Sequence, residues 1–164
     1  RMTKTLKSAE CTSEVLSKEE KYRILSEYIS LLVKAKDDIT KRMAQISLMI
    51  HQAFGFWWTG FYLVKGNELI LGPYQGPLAC LRIAYGRGVC GTAWKEERTI
   101  VVPDVEEFPG HIACSSESKS EIVIPLRQDG LIKGVLDIDS EKHATFDDTD
   151  ALWLEKITNI LNLA

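Results

Sequence analysis

The spacing of apolar residues changes at Phe56, and this change constrains the fold more than any other feature of the sequence. Before Phe56, apolar residues recur every three or four positions, which predicts amphipathic helices. The first covers about 18–34, after a capping-box pattern at Ser17, and the second runs from about Asp37 to Gly55. After Phe56, short β-branched and aromatic segments alternate with turn residues, which predicts strands. Two helices therefore precede a sheet.

About six strands and a final helix are predicted after the change. An Asp-Gly pair at 129–130 joins the two longest strands, about 121–127 and 131–139, into a hairpin. Asp147 is suited to cap the last helix. The sequence thus predicts an α+β domain, with an antiparallel sheet of about six strands flanked by N-terminal and C-terminal helices.

Composition and charge are those of an ordinary globular domain. The 164 residues are 45% hydrophobic and 26% charged, with a net charge of −3. This balance offers no basic surface for a nucleic acid, and no apolar run approaches the roughly 20 residues of a membrane span. We expect residues 1–16 to be a flexible N-terminal arm and 17–164 to be a single domain. The lack of a secretory signal pattern predicts a cytoplasmic protein whose four cysteines, including Cys11 in the arm, are reduced at rest.

A stretch of about 15 residues, 104–118, has neither helical nor strand spacing. Loops of this length are uncommon inside a compact domain and are usually functional. This loop contains His111 and Cys114, whose side chains can act as ligands or nucleophiles. It is therefore the first place to look for a functional site.

Cys80, Cys90 and Cys114 lie in predicted turns, loops or the start of a short helix, and not on a periodic apolar face. Cys90 opens that helix close to Arg87, and both features lower the pKa of a thiol. Three interpretations compete: thiols that only pack, a zinc site with His111 as the fourth ligand, and thiol redox chemistry. Zinc ligands normally come in close cysteine pairs, which this sequence lacks. We therefore expect no bound metal and favour redox chemistry.

Acidic residues interrupt the apolar pattern of the two longest strands. Asp137 and Asp139 share one face by strand alternation, and Glu121 opens the neighbouring strand, from which it can reach the same face. Such acids repel one another unless they bind a cation or keep a proton. A solvated outer face is the alternative, but the apolar residues around the acids argue against it.

The first strand is aromatic on both faces. Trp58 and Tyr62 share one face, and Trp57 and Phe61 share the other. Packing in the core is expected for one face, and the other can wall a pocket for a small apolar or sulfur-containing group.

These residues resemble the free methionine-R-sulfoxide reductases, a family built on a stand-alone GAF domain. The likeness covers about residues 20–162 and is specific because it includes the three cysteines with their flanking residues. A GAF fold alone would be less specific, since most GAF domains only bind ligands. The matching segments are Phe56-Trp-Trp-Thr-Gly-Phe-Tyr62, Gly72-Pro-Tyr-Gln-Gly-Pro-Leu-Ala-Cys80, Gly86-Arg-Gly-Val-Cys90, His111-Ile-Ala-Cys-Ser115, Ser120-Glu-Ile-Val-Ile-Pro125 and Leu136-Asp-Ile-Asp-Ser140.

The resemblance implies reduction of the R epimer of free L-methionine sulfoxide. Cys114 matches the attacking cysteine, and both Cys80 and Cys90 are candidates for the resolving cysteine. The family's acidic substrate-binding residues match Glu121, Asp137 and Asp139, its aromatic wall matches Trp58 and Tyr62, and the loop backbone that holds the substrate carboxylate matches Ile112, Ala113 and Cys114.

The chemistry of a sulfoxide agrees with this set. Its sulfur is a poor electrophile until its oxygen is protonated, and a carboxyl crowded by other acids, such as Glu121 or Asp139, has a raised pKa that lets it supply the proton. Thiolate attack then gives methionine and a sulfenic acid on Cys114, which a second thiol converts to a disulfide.

The resemblance also implies an external reductant. No bound cofactor is expected, and a dithiol of the thioredoxin system, which draws indirectly on NADPH, restores the thiols. Such a domain is also expected to be able to form a homodimer. The alternative function is a non-catalytic GAF module that senses a small ligand or an oxidant through its cysteines.

Overall fold

The computed structural model of the protein describes residues 16–112, 114 and 117–161. The predicted N-terminal arm and its Cys11 lie outside the described residues, apart from Leu16. Within those ranges, no helix combines the length and the apolar character that crossing a membrane requires.

Four α-helices and six β-strands occur in the described ranges, and they follow the predicted order. The elements are α1 (Lys18–Leu32), α2 (Ile39–Phe54), β1 (Trp58–Lys65), β2 (Glu68–Gln75), β3 (Arg82–Ala84), α3 (Gly88–Glu96), β4 (Ile100–Val102), β5 (Ser120–Gln128), β6 (Leu131–Ser140) and α4 (Asp148–Ile160).

Local capping explains where the helices begin and end. The Ser17 side chain accepts the Glu20 backbone N–H, and the Glu20 side chain accepts the Ser17 N–H, which is the predicted capping box. Asp147 and Asp150 cap α4 in the same reciprocal way. Gly55 ends α2 with a φ of 67°, a left-handed conformation that glycine adopts without strain.

The six strands form one antiparallel sheet with the order β3-β2-β1-β6-β5-β4. The turn between β5 and β6 has positive φ angles at both Asp129 and Gly130, as a tight hairpin turn requires. The predicted α+β fold with a six-stranded antiparallel sheet is therefore confirmed.

Each face of the sheet is covered by a different set of elements. α1, α2 and α4 pack over the face that carries Phe61, Leu136 and Ile138, and together they form the larger apolar core. The opposite face carries Trp58 and Tyr62, and α3 packs across it. Strand alternation thus correctly assigned Trp58 and Tyr62 to one face and Phe61 to the other. The assignment of Trp57 to the face of Phe61 is wrong: Trp57 precedes β1 and packs on the same side as Trp58, because alternation holds only within a strand. Below, the face under α3 is called the site face.

The stretch 104–118 is less irregular than predicted. It contains one 3-10 turn, Val105–Glu107, which starts at Asp104, where the side chain accepts the Glu106 backbone N–H. Val105 is buried in the apolar cluster of the site face and anchors the turn. Sequence spacing misses this element because a single 3-10 turn is too short to show a periodicity.

Candidate active site

A cavity lies on the site face, between β1, the start of α3, the ends of β5 and β6, and the loops that hold Cys80 and Cys114. The predicted site residues that line it are Trp58, Tyr62, Cys90, Ile112, Cys114, Glu121, Asp137 and Asp139. Cys80 joins them through its bond to Cys114. Ala113, the remaining predicted residue, lies outside the described residues.

Three carboxyl groups lie together on this cavity. Glu121 in β5 is directly opposite Asp139 in β6, and Asp137 lies two residues earlier in β6 on the same face. Glu121 and Asp137 are buried, and Asp139 is half-buried. The alternative of a solvated outer face is therefore wrong.

Burial raises the pKa of all three carboxyl groups, but not equally. The pKa of Glu121 lies well above its ordinary value because of burial and the charges of Asp137 and Asp139. Burial and the Asp137 charge likewise raise the pKa of Asp139 well above its ordinary range. The pKa of Asp137 is also raised by burial, but hydrogen bonds from Glu121, Cys90 and Asp139 oppose the rise. Hydrogen bonds from the two neighbouring acids thus favour the charged form of Asp137, whereas burial and the Asp137 charge favour the protonated forms of Glu121 and Asp139.

One oxygen of Asp137 is left without a partner. Its Oδ1 is buried and makes no hydrogen bond to any described residue, although Asp137 lines the cavity. Leaving a buried carboxylate oxygen unpaired costs free energy, and a donor from a ligand bound in the cavity would offset this cost. A cationic N–H donor would gain most, because the carboxylate carries the charge of the cluster.

Trp58 and Tyr62 form an aromatic wall and also hold the loop after β2. The Trp58 Nε1–H donates to the Pro77 carbonyl oxygen at 3.0 Å, and the Tyr62 O–H donates to the Cys80 carbonyl oxygen at 2.9 Å. The two rings stack with centroids 5.8 Å apart. Their polar atoms therefore position the segment that carries Cys80, while the ring surfaces keep one side of the cavity apolar.

Cys80 and Cys114 form a disulfide with Cα atoms 5.4 Å apart, and 34 positions separate them in the sequence. The zinc alternative needs both sulfurs as thiolates, so it does not fit this oxidised arrangement. Cys90 is the free cysteine of the described residues, and it is buried beside Glu121 and Asp137.

The low pKa predicted for Cys90 is wrong. Cys90 does lie in the first turn of α3, as the third residue of the helix after the N-cap residue Arg87. However, burial raises the pKa of its thiol well above the ordinary value, and the charges of Asp137, Glu121 and Asp139 raise it further. These carboxyl groups come from β5 and β6, so the local pattern around Cys90 does not reveal them.

Cys90, Glu121 and Asp137 have ligand atoms that all lie within 4.8 Å of one another. A metal ion bound there would have to displace the protons of Cys90 and Glu121, whose pKa values both lie well above their ordinary range. The expectation of no bound metal stays a prediction.

Sequence reasoning missed two polar contacts in the cavity. His111 Nε2 lies 3.8 Å from Glu121 Oε1, and burial lowers the pKa of this histidine. Ser118 donates its hydroxyl to Asp139 Oδ1 at 3.0 Å. Both residues belong to the long loop that the sequence singles out, but their partners are apparent only once β5 and β6 lie beside that loop.

Similarity to known proteins covers most of the chain. Over 143 residues, the chain is 40% identical to the free methionine-R-sulfoxide reductase of Escherichia coli (strain K12), and the alignment covers 87% of each protein. It is 52% identical over 147 residues to GAF domain-containing protein A of Dictyostelium discoideum, covering 89% of this chain and 93% of that protein. A solved structure of the free methionine-R-sulfoxide reductase from Neisseria meningitidis, in complex with its substrate, matches with 50% identity and a TM-score of 0.87 over 89% of both chains.

The sequence model described as GAF domain matches residues 38–164, which is more than three quarters of the chain. Together with the antiparallel sheet and its cavity, this match defines the class of protein as a GAF domain. Within that class, the chain belongs to the free methionine-R-sulfoxide reductase family.

Proposed function

We propose that this protein reduces free L-methionine-R-sulfoxide to L-methionine. The observation that carries the proposal is the Cys80–Cys114 disulfide beside a cavity with three carboxyl groups of raised pKa. Such a site joins a redox-active sulfur to acids that can protonate a sulfoxide oxygen.

Substrate binding follows from the charges of the cavity. The ammonium group of a free amino acid pairs with Asp137, whose buried Oδ1 lacks a partner among the described residues. The apolar end of the side chain packs on Trp58 and Tyr62, and the loop backbone at Ile112, Ala113 and Cys114 holds the substrate carboxylate. A methionine sulfoxide inside a polypeptide has no ammonium group to offer, which explains a preference for the free amino acid.

The reaction then needs one proton donor and one thiolate. Glu121 or Asp139 donates a proton to the sulfoxide oxygen, since burial and the charge of Asp137 raise the pKa of both. The Cys114 thiolate attacks the sulfoxide sulfur and forms a sulfur–sulfur bond. The protonated oxygen then passes to the Cys114 sulfur as a hydroxyl group, the sulfur–oxygen and sulfur–sulfur bonds to the substrate break, and methionine leaves while Cys114 becomes a sulfenic acid. The Cys80 thiol attacks that sulfenic acid, which releases water and forms the disulfide.

Cys80 is therefore the resolving cysteine in this proposal, and the disulfide supports this choice over Cys90. An external dithiol of the thioredoxin system supplies two electrons and two protons to restore both thiols, with NADPH as the indirect source. No bound cofactor takes part. A cytoplasmic location agrees with thiols that are kept reduced. The homodimer and the single domain over 17–164 stay predictions.

The test is methionine formation from the R and S epimers of free L-methionine sulfoxide, supplied separately with dithiothreitol as reductant. We expect turnover on the R epimer, none on the S epimer, and loss of turnover in Cys114→Ser. Prereduced Cys80→Ser without dithiothreitol is expected to release one methionine per protein molecule without forming the Cys80–Cys114 disulfide. Folded, fully reduced protein that forms no methionine from either epimer would refute the proposal.

That negative result would favour the second candidate, a GAF module that senses an oxidant through its cysteines. The disulfide is the observation on which this candidate rests, because a sensor also needs a reversible thiol pair. The two functions differ in turnover: a sensor is oxidised once by its stimulus, whereas an enzyme consumes sulfoxide for as long as reductant is present.

A further inference from the structure

Exposed apolar side chains surround the disulfide. Leu78 and Leu81, on either side of Cys80, are 72% and 61% exposed, and Ile112 in the facing loop is 36% exposed. Leu78 and Ile112 line the cavity together with Cys114, so these apolar groups lie at its opening. Single exposed leucines are common on protein surfaces, but apolar groups gathered at a reactive bond indicate an interaction site. We call Leu78, Leu81 and Ile112 the apolar rim.

Hydrogen bonds hold the segment of the apolar rim that carries Cys80. The Pro77 and Cys80 carbonyl oxygens accept from Trp58 and Tyr62, as described above. The Leu81 carbonyl oxygen accepts from the Leu71 backbone N–H at 3.0 Å. Because three carbonyl groups of a five-residue segment, 77–81, are tied to β1 and β2, the exposed leucines project from a fixed backbone. A fixed apolar surface loses little conformational entropy when a partner binds.

The two sulfurs of the disulfide differ in their electrostatic surroundings. Cys114 lines the cavity that holds Glu121, Asp137 and Asp139, whereas Cys80 lies in the loop between the two exposed leucines. An incoming thiolate is an anion, so the carboxylate charge of the cavity repels it from Cys114. Attack at Cys80 avoids that charge and leaves Cys114 as the departing thiolate.

We propose that the apolar rim is the docking surface for a protein dithiol of the thioredoxin class and that the dithiol attacks Cys80. The proposal rests on the proposed function, which generates the disulfide in each cycle. The partner's thiolate attacks Cys80 Sγ, the Cys80–Cys114 bond breaks, and Cys114 leaves as a thiolate. The partner's second thiol then attacks the mixed disulfide and releases Cys80, so that two electrons and two protons pass to this protein and the partner becomes a disulfide.

The test measures reduction of the oxidised protein directly, without any methionine sulfoxide present. Reduced thioredoxin or dithiothreitol is mixed with the oxidised protein, and the second-order rate constant of disulfide reduction is followed by the appearance of free thiols. We expect both Leu81→Glu and Leu81→Lys to lower the rate constant with thioredoxin by about five- to tenfold, since one interface anchor contributes roughly 1 kcal/mol or more. The rate constant with dithiothreitol should change less than about twofold, because a small dithiol needs no docking surface.

Leu131→Glu is the matched control, because Leu131 is also 61% exposed but begins β6, six residues before Asp137. We expect it to change neither rate constant. If the Leu81 variants lower the rate constants with thioredoxin and with dithiothreitol equally, the disulfide itself is disturbed and the proposal is overturned. Unchanged rate constants with both reductants would also overturn it. A loss in Leu81→Glu alone would show a charge effect and would also overturn it.

The site of attack is tested by trapping. A thioredoxin whose second active-site cysteine is serine cannot release its partner, and peptide mapping of the mixed disulfide identifies the cysteine that was attacked. We expect Cys80, and a mixed disulfide on Cys114 would overturn the proposed direction. Because neither assay contains sulfoxide, failure here is distinct from failure of the proposed reductase activity, which the dithiothreitol turnover assay measures.

Discussion

Replacing Asp137 by asparagine tests the assignment of the negative charge most directly. Asparagine has the same shape and still accepts hydrogen bonds, but it cannot carry the charge that pairs with a substrate ammonium group. Asp137 is buried, lines the cavity and leaves Oδ1 without a partner among the described residues. The substitution therefore removes a charge and leaves the packing of β6 unchanged.

The expected magnitude follows from the burial of the pair. Two unit charges 4 Å apart attract by about 4 kcal/mol at an effective dielectric constant of roughly 20. Part of this attraction is offset by desolvation, and truncating one partner of a buried charge pair typically costs about 2–5 kcal/mol. With about 3 kcal/mol for Asp137→Asn, kcat/KM for free L-methionine-R-sulfoxide should fall roughly 150-fold.

The assay compares free and N-acetylated L-methionine-R-sulfoxide, with dithiothreitol as the reductant. The wild-type protein should strongly prefer the free substrate, because acetylation removes the ammonium charge. On the acetylated substrate, Asp137→Asn should lower kcat/KM by less than about threefold, since this substrate has no ammonium group that could pair with Asp137. The preference for the free substrate should therefore nearly vanish in the variant.

Asp129→Asn serves as the control, because Asp129 is exposed in the β5–β6 turn, where its positive φ also suits asparagine. It should leave both values of kcat/KM unchanged. Equal losses on the two substrates in Asp137→Asn, or equal rates of the wild-type protein on both, would refute the reasoning that Asp137 binds the ammonium group.

Two further predictions concern stability and packing at the same cavity. The raised pKa of Glu121 means that the folded state holds its proton more tightly than the unfolded state, so the free energy of unfolding falls as pH rises above the ordinary value of 4.5. Glu121→Gln removes this loss, so in urea unfolding the variant should gain stability relative to wild type as pH rises above 4.5. Its turnover should fall, because glutamine cannot donate the proton. A stability difference that does not change with pH would contradict the pKa assignment. In Gly60→Ala, the new Cβ would overlap Tyr74 Cβ and would lie 2.6 Å from Trp58 Cη2. Such overpacking typically costs about 1–3 kcal/mol, so we expect a lower Tm together with a raised KM as Trp58 moves, and an unchanged KM would argue against an aromatic substrate wall.

Much of the fold could be predicted because its signals are local. The capping box at Ser17, the left-handed end of α2 at Gly55 and the Asp129-Gly130 turn each depend on a few adjacent residues. Strand alternation is also local, and it correctly placed Asp137 and Asp139 on the same face. Within the described residues, the sequence therefore determined the order of the elements and the set of side chains that each strand presents to a face.

The tertiary structure decided which distant residues meet and what their meeting does to their chemistry. The sequence left Cys80 and Cys90 as equal candidates for the resolving cysteine, whereas the fold joins Cys80 to Cys114 across 34 positions. For Cys90, a helix start near Arg87 suggested a low pKa, but burial against Asp137 raises it instead. A pKa depends on the solvent and the charges around a group, and the packing of β5 and β6 beneath α3 sets both. The sequence alone thus determined which reactive groups are present, and only their packing decided which of them are acids, which is the charged partner and which two sulfurs form a bond.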